Sequence, residues 1–363
     1  MTAEVLRRYG PALLAWGALL WLRPGPTPGR RSVRLCVLGL AVSQTLLTPA
    51  VVHLMQVVGL GGVERLAGHL AMLVAASAGS DTLLRLRGRA RAARVSLVWA
   101  AASGSLMALL FALTPDLRPQ SPWVMEYCVA YAVALVPELV LVALLCLREL
   151  DAAADRALRL GLRLIGAGCC AAVGYMAVRT TVAMTARVPL DFPLGRTFLL
   201  SKALPTTAHV LVLCGVAVPA LVKWLRLYRR YRRLTPLWTA LFEAEPSIAL
   251  EPPGRFTAVV GFPTPLRLYR RVIEIRDGLL AIRPYRPDPA EVPAQADKYG
   301  REALGISLAL RARAAGGPPR FDGAETAGGQ DLSSDTEYLC KVADAFGALP
   351  TGLRGAPRRC ARR

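Results

Sequence analysis

The chain has 363 residues, 54% of them hydrophobic, and its 45 basic residues against 25 acidic ones give a formal net charge of +20. A mean hydropathy of +0.38 lies above that of an ordinary soluble domain, and the apolar residues crowd into the first ~220 positions, which excludes a wholly soluble protein. The charge does not indicate nucleic acid: only Lys202, Lys223, Lys298 and Lys341 are lysines, the rest are arginines in the style of a GC-rich coding bias, and many sit between apolar stretches.

Seven such stretches follow in chain order, at residues 9–22, 35–59, 66–84, 95–113, 127–147, 164–184 and 198–221. A bilayer offers nothing to an open backbone, so a span is a helix of about 20 mostly apolar residues. The intervening loops alternate in charge. Arg23, Arg30, Arg31 and Arg34 follow the first stretch, Arg85, Arg87, Arg89, Arg91 and Arg94 the third, and Arg148, Arg156, Arg159 and Arg163 the fifth. The opposite loops carry only Arg65, then Arg118, then Arg187 and Arg196. The positive-inside rule therefore predicts the N-terminus outside and the C-terminal tail in the cytoplasm. The first stretch is short and follows Arg7 and Arg8, as in a signal peptide, but Pro24-Gly25-Pro26 stands where a small-residue cleavage site is needed. If residues 1–32 stay inside, six spans with both ends cytoplasmic satisfy the same rule.

Ionisable residues inside spans are functional candidates, because placing them there is costly. Glu138 follows Pro137 in the fifth span, Arg179 lies in the sixth and His209 in the seventh, below Pro205. At 1.5 Å per residue, Glu138 and His209 lie ~17 Å and Arg179 ~8 Å from the outer helix ends, depths from which a proton relay or polar ligand pocket can be built. The structural alternative is a snorkelling Arg179, a Glu138 bonded to a neighbouring helix and a His209 bonded to a carbonyl. His53 beside Gln56 reads as a packed interface residue, while His69 and Asp81 stand towards opposite ends of the third span, within reach of headgroup water. Gly166, Gly168 and Gly174 permit close approach in the sixth span. Cys169 and Cys170 diverge by ~100° on a helix and suit packing better than a metal. Neither Lys202 nor Lys223 is deep enough for a retinal Schiff base.

The seventh span runs into Lys223, Trp224, Arg226, Tyr228, Arg229, Arg230, Tyr231, Arg232 and Arg233. Cations interleaved with aromatics beside a membrane predict anchoring to anionic inner-leaflet lipid. Thr235-Pro236 then reads as the N-cap and first position of a new helix with Leu237, Trp238, Leu241 and Phe242 on one face, closed by Pro246. After a connection at Glu251–Gly254, a helix from Pro265 carries an apolar stripe of Leu266, Tyr269, Val272, Ile273 and Leu280, with Arg270 and Glu274 paired at i,i+4. A further helix covers about 296–313, Gly316 to Gln330 is a linker, and Leu332, Leu339, Val342 and Phe346 mark a last helix. The resulting organisation is an all-α, polytopic membrane protein: spans in 1–222, a basic-aromatic segment at 223–234, a cytoplasmic helical domain at 235–349 and a disordered basic tail at 350–363.

No phosphate-binding loop, kinase glycine motif, HExxH or GxSxG arrangement is present, and all three histidines fall in the spans. No enzymatic role, metal or cofactor is predicted. The expected partners are the bilayer, anionic lipid and a cytoplasmic protein held through 235–349, with no nucleic acid.

The run Tyr269, Arg270, Arg271, Val272, Ile273, Glu274, Ile275, Arg276, Asp277, Gly278, with Arg283-Pro284-Tyr285 after it, resembles an actinobacterial family of seven-span membrane proteins with a C-terminal domain of unknown function. The resemblance takes in Thr48-Pro49-Ala50, the helix end at Ala309–Gly316 and the last helix at Glu337–Phe346. It implies a transporter, a label that rests on membrane topology, and supplies no ligand or catalytic residues. The alternative is a receptor or signalling scaffold whose tail binds a partner.

Overall fold

The computed structural model describes residues 2–22, 28–114, 123–151, 153–185, 194–249, 265–288, 291–292, 297–319, 328–329 and 331–353, with side chains from Tyr9 in the first helix and from Ala203 in the eighth. Arg23 to Pro26, Arg118, Arg187, the Glu251–Gly254 connection, Cys360 and most of the 316–330 linker lie outside them; the Arg196 and Lys202 side chains do too. The described residues are helical and include no strand. The chain divides into two compact units, Met1–Ala220 and Leu221–Arg363.

The first unit is built from α1 (Thr2–Trp21), α2 (Pro28–Leu46), α3 (Pro49–Val57), α4 (Val63–Leu86), α5 (Ala90–Leu113), α6 (Val124–Glu149), α7 (Arg156–Thr185) and the first part of α8 (Leu194–Ala244). Among the described residues four helices, α5, α6, α7 and α8, are long and apolar enough to cross a membrane; α2 and α3 make a fifth candidate if read as one span bent by 62°. That bend has a local cause. Pro49 bars the helical conformation to the residue before it, and Thr48 is extended (φ −71, ψ 146) with its hydroxyl donating to Thr45 O at 2.7 Å. By contrast α6 and α8 pass through Pro137 and Pro205 without interruption, so of these three prolines within spans only Pro49 breaks a helix.

The expected span in α4 falls short of the same length-and-composition test, and α1 does not pass it over residues 9–21, whose side chains are described. In α4 the shortfall comes from polar residues that face its neighbours. Ser32 of α2 donates to Asp81 at 2.8 Å, and His69 meets Tyr127 of α6. The unit's apolar core joins Leu73, Met107, Tyr131, Leu135, Leu139 and Cys169 across α4 to α7. Its outer helix faces are apolar as well: Val95, Leu97, Val98 and Leu109 of α5 are all more than half exposed. A contiguous greasy surface of this kind suits lipid, not water.

Of the three glycines expected to allow close helix approach in α7, Gly168 does so, and Gly161, which was not expected, joins it. A Cβ on Gly166 or Gly174 would meet nothing within 4 Å, whereas on Gly168 it would stand 2.7 Å from Val212 Cγ2 and on Gly161 2.6 Å from the Gly215 carbonyl oxygen. Gly161 and Gly215 thus seat the backbones of α7 and α8 directly against each other.

The second unit packs the end of α8 with α9 (Pro265–Ala281), α10 (Lys298–Ala314) and α11 (Leu332–Ala348). Leu234, Leu237, Trp238, Leu241, Val272, Ile275, Leu279, Ile306, Leu339 and Phe346 fill one core. No helix starts at Thr235-Pro236; α8 continues through it to Ala244, and a 3-10 turn at Pro246–Ile248 follows. Thr235 spends its hydroxyl on Tyr231 O one turn back instead of capping. The stripe on α9 is rotated from its expected position: Leu268, Val272, Ile275 and Leu279 are buried, while Leu266, Tyr269 and Leu280 are exposed. Asp297 caps α10 through Gly300 N at 2.7 Å, and Asp331 with Ser334 forms a reciprocal capping box on α11. Thr351–Leu353, expected within the disordered tail, form a 3-10 turn, and Ser307 donates to Leu353 O; 354–363 lie outside the described residues.

Candidate functional site

Glu138 is 3% exposed at the middle of α6. Ser80 of α4 donates to its Oε2 at 2.5 Å and Ser96 of α5 to its Oε1 at 2.7 Å. Both serines are buried, so each carboxylate oxygen has a donor from a different helix. A buried polar group without a partner costs ~1–3 kcal/mol, and here three helices share one satisfied knot.

Arg179 does not join it. Its side chain is exposed and lies against the Cys128 thiol, with His69 near enough to feel its charge. His69 in turn bonds Tyr127 Oη through Nδ1 at 2.9 Å and stacks on Tyr131 with ring centroids 4.2 Å apart. His69, expected to reach headgroup water, is instead half-buried in an aromatic cluster. Its signal was in the sequence: Tyr127 and Tyr131 share one face of α6 at i,i+4.

His209 stands apart from both. Its Nδ1 bonds Pro205 O, one turn back on α8, at 2.5 Å. Its Nε2 is buried and has no hydrogen-bond partner among the described residues. The ring lines a partly open cavity of about 190 Å³ between α2, α4, α6, α7 and α8, with walls that include Leu40, Met72, Leu139, Val142 and Val212. Three cysteines, Cys36, Cys146 and Cys169, contribute to the same wall. The trio of ionisable candidates is thus distributed over three sites, and no relay connects them among the described residues. Cys169 is buried and Cys170 exposed, as their divergence on a helix requires. Among the described residues no group of three or more His, Cys, Asp or Glu is arranged to hold a metal ion.

In the tail, the basic-aromatic segment is divided between two uses. Tyr231 bonds Arg271 of α9, Arg233 pairs with Asp344 of α11 at 2.5 Å, and Leu234 is fully buried. These residues hold the domain's own helices together. Lys223, Arg226, Arg229, Arg230 and Arg232 have exposed side chains, and Trp224 stacks on Tyr228 at 5.3 Å.

The conspicuous run on α9 is explained by the same core. The Arg271 guanidinium lies 4.5 Å from the Tyr231 ring centroid and 3.8 Å from that of Trp238. Glu274, 9% exposed, accepts from Trp238 Nε1 at 2.7 Å and approaches Arg271 at 4.0 Å. The expected pairing of Glu274 with Arg270 is replaced by this inward one, because Glu274 sits on the buried face. Burial lowers the Arg271 pKa, with Tyr231 and Glu274 opposing that shift. Arg276 pairs with Asp335, Asp277 is exposed, and a Cβ on Gly278 would stand 3.0 Å from Leu241 Cβ. Most of the run is therefore packing and polar satisfaction within one domain.

Residues 223–348 match the model of a family of unknown function, DUF6545. The match begins at the first residue of the basic-aromatic segment and ends with α11, so it lies within the tail unit and not the spans. No curated protein matches the chain, and no solved structure does.

Proposed function

We propose that this chain is a seven-span membrane receptor whose spans hold a ligand and whose tail engages a cytoplasmic protein. The spans are α1, the bent α2–α3 pair, α4, α5, α6, α7 and the first part of α8. In this topology the N-terminus is outside and the tail is cytoplasmic, as the loop arginines require. The polar side chains of α4 favour its place inside the bundle, since they find partners on α2, α5 and α6. Lys223, Arg226, Arg229 and Arg230 rest at the anionic inner leaflet.

The observation that carries the reading is the composition of α8. One uninterrupted helix supplies Ala208, His209, Val212 and Val216 to the cavity wall and Leu234, Leu237, Trp238 and Leu241 to the core of the tail domain. A change at the first set has a covalent, hydrogen-bonded connection to the second. Transport, which the family resemblance implies, would assign proton or substrate coupling to Glu138. Two features weigh against a polar cargo: both Glu138 oxygens are engaged by serines in a buried site, and the walls of the cavity are almost wholly apolar.

The test is in-cell crosslinking and capture with the full-length protein and with a version ending at Ala220. A cytoplasmic partner recovered only with 221–363 supports the receptor. No tail-dependent partner, together with reconstituted flux that Glu138→Gln abolishes, replaces it with transport.

A further inference from the structure

We propose that the cavity beside His209 binds a small membrane-soluble alcohol or phenol, an apolar body whose single hydroxyl donates to Nε2. A carbonyl oxygen only accepts, so the bond to Pro205 O places the imidazole proton on Nδ1. Nε2 is then a bare acceptor, buried and unpartnered. Leaving such a group unmet costs ~1–3 kcal/mol, which a hydroxyl donor recovers.

The walls define the remainder of the ligand. Among the described residues no carboxylate, lysine or arginine lines the cavity, and the hydroxyl of Thr82 already donates to Ala78 O at 2.8 Å. A charged molecule would enter unpaired. Water is a poor occupant, because a buried water needs two to four polar partners and, apart from His209 and Thr82, the described walls are apolar side chains and thiols. The volume, about 190 Å³, exceeds the ~150 Å³ apolar cavity that accepts benzene, so one or two fused rings or a short branched chain fits.

This assignment deepens the receptor reading and rests on it for the consequence of binding. The experiment uses full-length protein in nanodiscs, with empty nanodiscs as background, and measures saturable binding of naphthol, methoxynaphthalene and naphthalene. Naphthol is expected to bind about five- to tenfold more tightly than its methyl ether, the value of one hydrogen bond. His209→Phe should bring the two to the same weaker affinity. Gly79→Leu should abolish saturable binding of all three probes, since a Cβ there meets only Val142 Cγ2 at 3.7 Å and Cys36 Sγ at 3.9 Å and leaves room for the side chain to occupy the cavity. Equal affinity for naphthol and its ether in the wild type overturns the proposal, and so does a preference that survives in His209→Phe. Because the alcohol-to-ether ratio is read on the wild type, a variant that fails to fold does not rescue the idea. A naphthol preference without any effect of naphthol on tail-dependent partner capture would sink the receptor reading and leave the site standing. Partner capture without a naphthol preference would do the reverse.

Discussion

At the scale of single residues, buried polar atoms are resolved one by one, and each answer has a measurable consequence. Ser80→Ala or Ser96→Ala leaves one Glu138 oxygen without its donor, and each should cost about 1–3 kcal/mol in reversible unfolding of the detergent-solubilised protein. Because both serines serve one carboxylate, the double variant should depart from additivity. A change within ±0.5 kcal/mol for both single variants would remove the knot from the account of stability. Outside the spans, Tyr338 of α11 gives a pH signature. Burial, reinforced by the neighbouring Glu302, pushes its phenol up to about 12. The folded state therefore keeps that proton where the unfolded chain, with tyrosine near ~10, has lost it. The sign follows: this contribution is complete below about pH 10 and is lost as pH rises towards 12. Tyr338→Phe should flatten that limb of a stability–pH profile of the tail, and an unchanged limb would assign it to other groups.

Helices add a second level, at which side-chain spacing gives periodicity but not phase. On α9 the residues read as an inward stripe shared only Val272 with the face that is fully buried. Arginines interleave with the apolar residues there, and several of them reach partners: Arg271 beneath aromatic rings and Arg276 at Asp335. Charge was thus a poor guide to the wet side. Ile275→Ala should cost about 2–5 kcal/mol in chemical denaturation, against near neutrality for Leu280→Ala, which is 64% exposed. Equal effects would restore the other phase. The same logic applies to α7, where of the three marked glycines only Gly168 is in close contact and Gly161 went unmarked. Gly161→Leu should prevent recovery of a monodisperse protein, because its Cβ collides with the Gly215 backbone, while Gly174→Ala enters open space and should leave yield and thermal stability unchanged. If Gly161→Leu is tolerated, the α7–α8 packing is wrong.

For the whole molecule, two units with separate cores make a separable prediction. Residues 221–363 contain their own apolar core, caps and ion pairs, including Arg313 with Glu245 and Arg286 with Glu302. Expressed alone, the fragment should be soluble, helical by circular dichroism and cooperative in unfolding. A fragment starting at Thr235 should not be, because it lacks Tyr231 and Leu234, which α9 and the core require. Cooperative folding of the shorter piece would show that the basic-aromatic segment is only a membrane anchor.

The sequence by itself determined the chemical class of each half. Bilayer-length apolar runs and the helix-ending Pro246 act through local sterics and solvation, which need no tertiary partner. It also marked Glu138, Arg179 and His209 as out of place in an apolar setting. Tertiary structure decided what those three residues do, because a buried charge or lone pair is defined by its neighbours across helices: serines for Glu138, a thiol for Arg179, and an apolar cavity for His209. It likewise decided that Thr235-Pro236 continues α8, since packing of Leu234, Leu237 and Leu241 into one core outweighs a capping preference worth about 1 kcal/mol.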